Sequence, residues 1–199
     1  MENAIVYIHG KGGSADEAAR YASVFRDCDV IGFDYKAQTP QQAREEFPAF
    51  FDRVIREHTS VSVLANSIGA FYAMHSLADM QITKAYFISP VVDMENLICN
   101  MMRQSDVTED KLRSEGEIVT SFGETLSWGY LSYVRENPIS WHIPTHILYG
   151  GRDELTPPDI MTGFAEGIGA SLTVMDDGEH WFHTEEQMRF LDDWIRCKS

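Results

Sequence analysis

The chain has 199 residues, 44% hydrophobic and 24% charged, which suits one domain with a substantial core and is short for two. Its formal net charge of −15 sets up a field that repels nucleic acid and anionic membrane surfaces, so neither is an expected partner. No window approaches the roughly 18 apolar residues that span a bilayer, and residues 1–7 enter a strand pattern without the basic region and long apolar run of a secretory leader.

Short apolar runs alternate with helical periods along the whole chain. Residues 4–8 form the first expected strand, followed by a loop with Gly10, Gly12 and Gly13. Helical character then runs over 14–25, with Ser14 and Asp16 near its start as caps. The second strand is expected at 30–35, and a helix at 41–58 repeats Phe47, Phe50, Phe51, Val54 and Ile55 at helical spacing. A third strand at 61–65 leads into a helix at 68–80, and a fourth strand follows at 85–89. The fifth strand is expected at 145–149, a helix at 159–168, the sixth strand at 172–175 and a last helix at 185–196.

Strands separated by helices imply an α/β fold, a doubly wound and mainly parallel sheet of six strands with helices on both faces. Residues 91–143 break the rhythm, being longer than one crossover helix requires. They read as a crossover helix plus a short helical cap insertion within a single domain spanning residues 1–199. In open sheets of this kind ligands sit at the carboxyl ends of the strands, so the residues after each strand are the ones to examine.

The third strand ends in Leu64-Ala65-Asn66-Ser67-Ile68-Gly69-Ala70, directly before a helix. A sharp strand–turn–helix that lifts a serine above the sheet needs small neighbours, and Ala65, Gly69, Ala70 and Ala73 supply them. The helix N-terminus beside that serine favours developing negative charge. The competing reading of Ser67 is a capping serine at a tight turn. After the first strand comes His9-Gly10-Lys11-Gly12-Gly13-Ser14, whose glycines let backbone amides approach a ligand. It lacks the Gly-Lys-Ser/Thr of a phosphate loop. Gly10 to Ala15 approximates a dinucleotide fingerprint with Asp34 downstream, which keeps a nucleotide-binding oxidoreductase as a minor alternative.

With Ala65 in place of the first glycine of G-x-S-x-G, the chain resembles the α/β-hydrolase family over essentially its whole length. The resemblance implies Ser67 as nucleophile, with the backbone N–H groups of Lys11 and Ile68 as the oxyanion hole. It places the third triad member just past the fifth strand, in Gly150-Gly151-Arg152-Asp153-Glu154, where Asp153 is the choice, Glu154 the spare and Asp93 a less favoured alternative. In Asp177-Gly178-Glu179-His180 it places the catalytic histidine at His180, with His183 the competitor. The implied activity is a serine hydrolase that cleaves a carboxylic ester of a small substrate through an acyl-enzyme. A thioesterase or small-peptide hydrolase would use the same groups, whereas dienelactone hydrolases usually carry a cysteine nucleophile. A non-catalytic hydrolase-like binding protein would be expected to have lost one of the three residues.

Neither a cofactor nor a metal is expected, since His142 and His146 have no ligand partners at metal spacing. Cys28, Cys99 and Cys197 are scattered and odd in number, which fits free thiols and a cytoplasmic location. Asn66 and His9 read as turn and loop supports, and the Lys11 side chain as solvent-exposed. Trp128, Tyr130, Tyr133 and Trp181 are candidates for an acyl pocket as well as for plain packing.

Overall fold

Strand β1 (Asn3–Ile8) is buried from Ala4 onward, as a central strand covered on both faces must be. In the computed structural model, which describes residues 2–198, β1 pairs with β2 (Cys28–Gly32) on one side and β3 (Ser60–Asn66) on the other. The sheet continues through β4 (Lys84–Ile88), β7 (Thr145–Gly150) and β8 (Ser171–Met175), and all neighbouring pairs are parallel. Its order is β2-β1-β3-β4-β7-β8, the doubly wound six-stranded sheet that the sequence implies. The edge strands β2 and β8 have only one partner each and are correspondingly half-exposed.

One face of the sheet presents Ile5, Tyr7, Leu64, Tyr86, Ile88 and Leu148. A 3-10 helix (Ala15–Ser23) covers it with Ala18 and Tyr21, and α7 (Glu185–Lys198) covers it with Leu191, Trp194 and Ile195. The i, i+3, i+4 spacing of that last trio forms the apolar stripe of α7, and each fully buried side chain of this size contributes about 1.5–3 kcal/mol. Helices α1 (Pro40–Glu57) and α2 (Ile68–Ser76) pack against each other and against β3. Thr39 starts α1 by accepting the Gln42 N–H at 3.2 Å. Helix α6 (Pro158–Gly167) joins β7 to β8.

Several expected boundaries move. The second strand ends at Gly32, where an added Cβ would lie 2.1 Å from the Ala15 carbonyl oxygen. Phe33 and Tyr35, expected in that strand, leave it to join an aromatic cluster with Phe47 and Tyr72. The helix expected over 14–25 is the 3-10 segment, and the one expected over 68–80 stops at Ser76, where Leu77 and Met80 close a turn.

The chain forms two compact units, one of residues up to Val92 together with those from Ser140 onward, the other Asp93–Ile139. The second unit holds α3 (Met94–Gln104), α4 (Glu109–Glu115), a hairpin of β5 (Glu117–Val119) and β6 (Thr125–Ser127), and α5 (Trp128–Glu136). The hairpin is absent from the sequence-based expectation, because two three-residue strands carry too little alternation to be recognised. Within this unit the Arg135 guanidinium joins Glu95 at 2.6 Å and Glu109 at 2.7 Å, clasping three helices. No helix among the described residues is long and apolar enough to cross a membrane.

Candidate active site

Strand β3 ends at Asn66 and α2 begins at Ile68, which leaves Ser67 alone at the turn with φ 53° and ψ −120°. A residue with a Cβ in such a conformation costs about 1–3 kcal/mol, so neighbouring bonds must hold it. The Ser67 N–H donates to the Ile88 carbonyl at 3.0 Å, and the Ser67 carbonyl accepts from Val91 and Ala70, each at 3.2 Å. Ser89, between Ile88 and Val91, is wholly buried with φ 41°. That kink lets the chain on both sides of Ser89 grip the same residue, Ser67.

The approach of strand and helix explains the small residues. A Cβ on Gly69 would lie 2.4 Å from the His9 carbonyl oxygen and 2.8 Å from that of Ile8. Ala65, where the usual motif has glycine, is accommodated as a buried residue. The space constraint therefore falls on Gly69.

The three expected triad residues come together. The Ser67 hydroxyl lies 2.8 Å from His180 Nε2, and His180 Nδ1 lies 2.7 Å from Asp153 Oδ2. With Nδ1–H donating to the carboxylate, Nε2 is the acceptor nitrogen that faces the Ser67 hydroxyl. The other Asp153 oxygen accepts the N–H groups of Leu155 at 2.8 Å and Thr156 at 3.3 Å. The Asp153 side chain is 0% exposed and that of His180 is 12% exposed, so the pair is shielded while Nε2 reaches the serine. Tyr149 on β7 braces this turn from below, its hydroxyl donating to the Thr156 carbonyl at 2.6 Å. Burial, with the charges of Asp153 and Asp159 added, pushes the Tyr149 phenol up to about 12, so it stays a donor.

The histidine loop reaches Asp153 only because Gly150 and Gly151 lack side chains. A Cβ on Gly150 would lie 2.5 Å from the Glu179 carbonyl oxygen and 2.7 Å from that of Gly178. Both contacts are with backbone, which cannot rotate away. Gly150→Ala is expected to displace His180, lowering turnover about 100-fold and stability by about 1–3 kcal/mol. Steady-state kinetics and a urea melt read the two effects separately.

The loop after β1 lies against Ser67, since a Cβ on Gly10 would be 3.3 Å from Ser67 Cβ. Gly13 N–H donates to the Gly10 carbonyl at 3.1 Å, closing a turn with Lys11 and Gly12 at its centre. Gly12, at φ 76°, supplies the left-handed residue that a type II turn requires. The Lys11 N–H is outside that hydrogen bond, and the Ile68 N–H, in the first turn of α2, has no partner within its helix. His9 is a support, as expected: its ring stacks on Tyr35 at 4.3 Å, and the Tyr35 hydroxyl donates to its carbonyl at 2.8 Å.

The alternatives fall elsewhere. Asp93 caps α3 by accepting the Asn96 N–H at 2.9 Å, and Glu154 is exposed. His183 is exposed and turns to the Trp181 carbonyl at 2.8 Å, with Glu179 Oε2 at 3.4 Å. Trp128 packs under the Arg113 guanidinium, 4.5 Å from its ring centre, and Trp181 is 67% exposed. Tyr130 and Tyr133 lie on α5. Sequence reasoning missed Tyr35, Tyr149 and Ser89, whose roles rest on contacts between distant segments and leave no local pattern.

No family model matches the chain, and no curated protein matches it. Solved structures do. A candidate hydrolase from Agrobacterium vitis S4 is 18% identical, with 98% of this chain and 87% of that one covered at a TM-score of 0.78. Est1E from Butyrivibrio proteoclasticus with ferulic acid bound is 15% identical, covering 100% and 88% at 0.75. Mouse alpha/beta hydrolase domain-containing protein 10 is 15% identical, covering 98% and 90% at 0.72. The sheet order, its flanking helices and these likenesses together identify the chain's fold as the α/β-hydrolase fold.

Proposed function

We propose that the protein is a serine hydrolase that cleaves a carboxylic ester of a small substrate through an acyl-enzyme. The observation that carries this reading is the unbroken chain from the Ser67 hydroxyl through both nitrogens of His180 to the buried Asp153 carboxylate. A merely capping serine would need neither the strained backbone of Ser67 nor an imidazole held at 2.8 Å.

In this mechanism His180 Nε2 takes the Ser67 proton as Oγ bonds to the substrate carbonyl carbon. Asp153 keeps the imidazole in the required tautomer and stabilises its cationic form. The carbonyl oxygen, now an anion, accepts from the Lys11 and Ile68 N–H groups, each such donor typically contributing about 3 kcal/mol. The tetrahedral adduct collapses, breaking the bond to the leaving alcohol, which departs with the proton from Nε2. Water then attacks the acyl-enzyme with His180 as base, and Ser67 regains its proton as the acid leaves.

The test is hydrolysis of p-nitrophenyl esters graded by acyl length, with methyl ferulate added because Est1E carries ferulic acid. An acyl-thioester and a peptide anilide separate the neighbouring chemistries. Hydrolysis of at least one ester, together with fluorophosphonate labelling that requires Ser67, is the expected result. Equal labelling of wild type and Ser67→Ala would overturn the assignment.

A further inference from the structure

Helix α7 begins at Glu185, and Thr184 before it serves as the N-cap. Its Oγ1 accepts the Gln187 N–H at 3.2 Å, and its carbonyl accepts the Met188 N–H at 2.8 Å. Gln187 returns the bond, its side-chain Oε1 accepting the Thr184 N–H at 3.4 Å. That reciprocal pair is a capping box. The shorter bond at Oε1 is one that a capping box does not require, from the His183 N–H at 3.1 Å. Gln187 is only 5% exposed, so this oxygen gathers two successive loop amides from within the packed part of the helix.

The loop so held is the one that carries His180. Before His180, the Gly178 carbonyl accepts the Arg152 N–H at 2.8 Å, and the Gly178 N–H donates to the Met175 carbonyl at 2.8 Å. After it come Trp181, largely exposed, and Phe182, which packs half-buried against the core cluster that includes Leu191 and Trp194. Next in the chain are the two amides on Gln187. We propose that Gln187 is a positioning residue for His180, fixing the exit of its loop onto α7 through the His183 N–H. Asp153 holds the ring at Nδ1 while Gln187 holds the backbone three residues on, and Nε2 is thereby kept on the Ser67 hydroxyl. The effect on rate rests on the hydrolase reading, but the state of the His180 hydrogen bond can be read without turnover.

Gln187→Met keeps the length of the side chain and removes its acceptor. It is expected to lower kcat for p-nitrophenyl acetate about ten-fold with KM little changed, and to slow fluorophosphonate labelling of Ser67 in parallel. The downfield proton resonance of His180 Nδ1–H on Asp153, identified by its absence from His180→Ala, should shift or broaden. Gln187→Glu keeps an acceptor oxygen in the capping box and should restore both kcat and the resonance. Thr184→Ala separates the helix cap from the tie. Its urea midpoint should fall because the Oγ1 cap is lost, while kcat and the resonance stay at wild-type values because the His183–Gln187 bond remains. Should Gln187→Met fail to fold, Gln187→Asn, one carbon shorter, takes its place with the same expected losses. Wild-type kcat and an unaltered resonance in the folded variant would overturn the proposal. So would a Gln187→Glu variant as impaired as Gln187→Met, or an equal loss of kcat in Thr184→Ala, which would reduce Gln187 to a cap. A wild type inert toward every ester, whose resonance still responds to Gln187→Met and not to Thr184→Ala, would strike the hydrolase reading alone and support the tie.

Discussion

Ser67→Ala is expected to lower ester turnover about 10,000-fold or more, since the bond-forming oxygen is gone. The protein should remain folded, because the hydrogen bonds that hold residue 67 in the turn are made by its backbone N–H and carbonyl. Ser67→Gly makes a sharper test. The backbone at φ 53° and ψ −120° strains any residue with a Cβ. Glycine releases that strain and gives back part of the gain through its freer unfolded chain. The net expectation is an inactive variant more stable than wild type by about 1 kcal/mol. A rise in the urea midpoint at constant slope reads this, and a lower midpoint would contradict strain at the nucleophile. Such a trade of stability for function is expected where the strain is part of the site.

Asp153→Asn should reduce turnover about 10,000-fold while preserving the shape of the site. The new amide oxygen can keep the Leu155 and Thr156 N–H bonds, since those fall on Oδ1 alone. The amide nitrogen then faces His180 Nδ1, where the carboxylate oxygen was an acceptor at 2.7 Å. Two donors cannot bond to each other. The imidazole must present its Nδ1 lone pair to the new amide and place its proton on Nε2, opposite the serine. That tautomer cannot take a proton from Ser67, so kcat falls while the melting temperature barely moves. An Asp153→Asn variant with wild-type kcat would remove Asp153 from the mechanism.

The candidate site was largely legible in the sequence because each of its residues closely follows a strand. Ser67, Asp153 and His180 come after apolar runs that belong to one parallel sheet, and the structure brings all three into hydrogen-bond range. Where an apolar run serves something other than the sheet, the reading slips. Val30 to Tyr35 looks like one strand, but Phe33 and Tyr35 are apolar because α1 and α2 supply aromatic neighbours, not because they continue a ladder. The contact of Glu17 with Tyr7 was invisible for a related reason. Residue 17 meets residue 7 only after the 3-10 helix folds onto β1. Trp141 likewise finds its place against Phe87, 5.5 Å between ring centres, a pairing no spacing rule encodes.

The division of the chain into two compact units has a consequence for how such a protein can diverge. The hydrogen bonds described for Ser67, His180 and Asp153 all fall outside Asp93–Ile139, and the last of them before that unit is made by Val91. The inserted unit has its own buried residues, Ile98, Met102, Leu112, Leu126 and Leu131, and its own Arg135 clasp. Mutations there fall outside every hydrogen bond described for Ser67, His180 and Asp153. A lineage can therefore rewrite this stretch while inheriting the Ser67–His180–Asp153 arrangement unchanged.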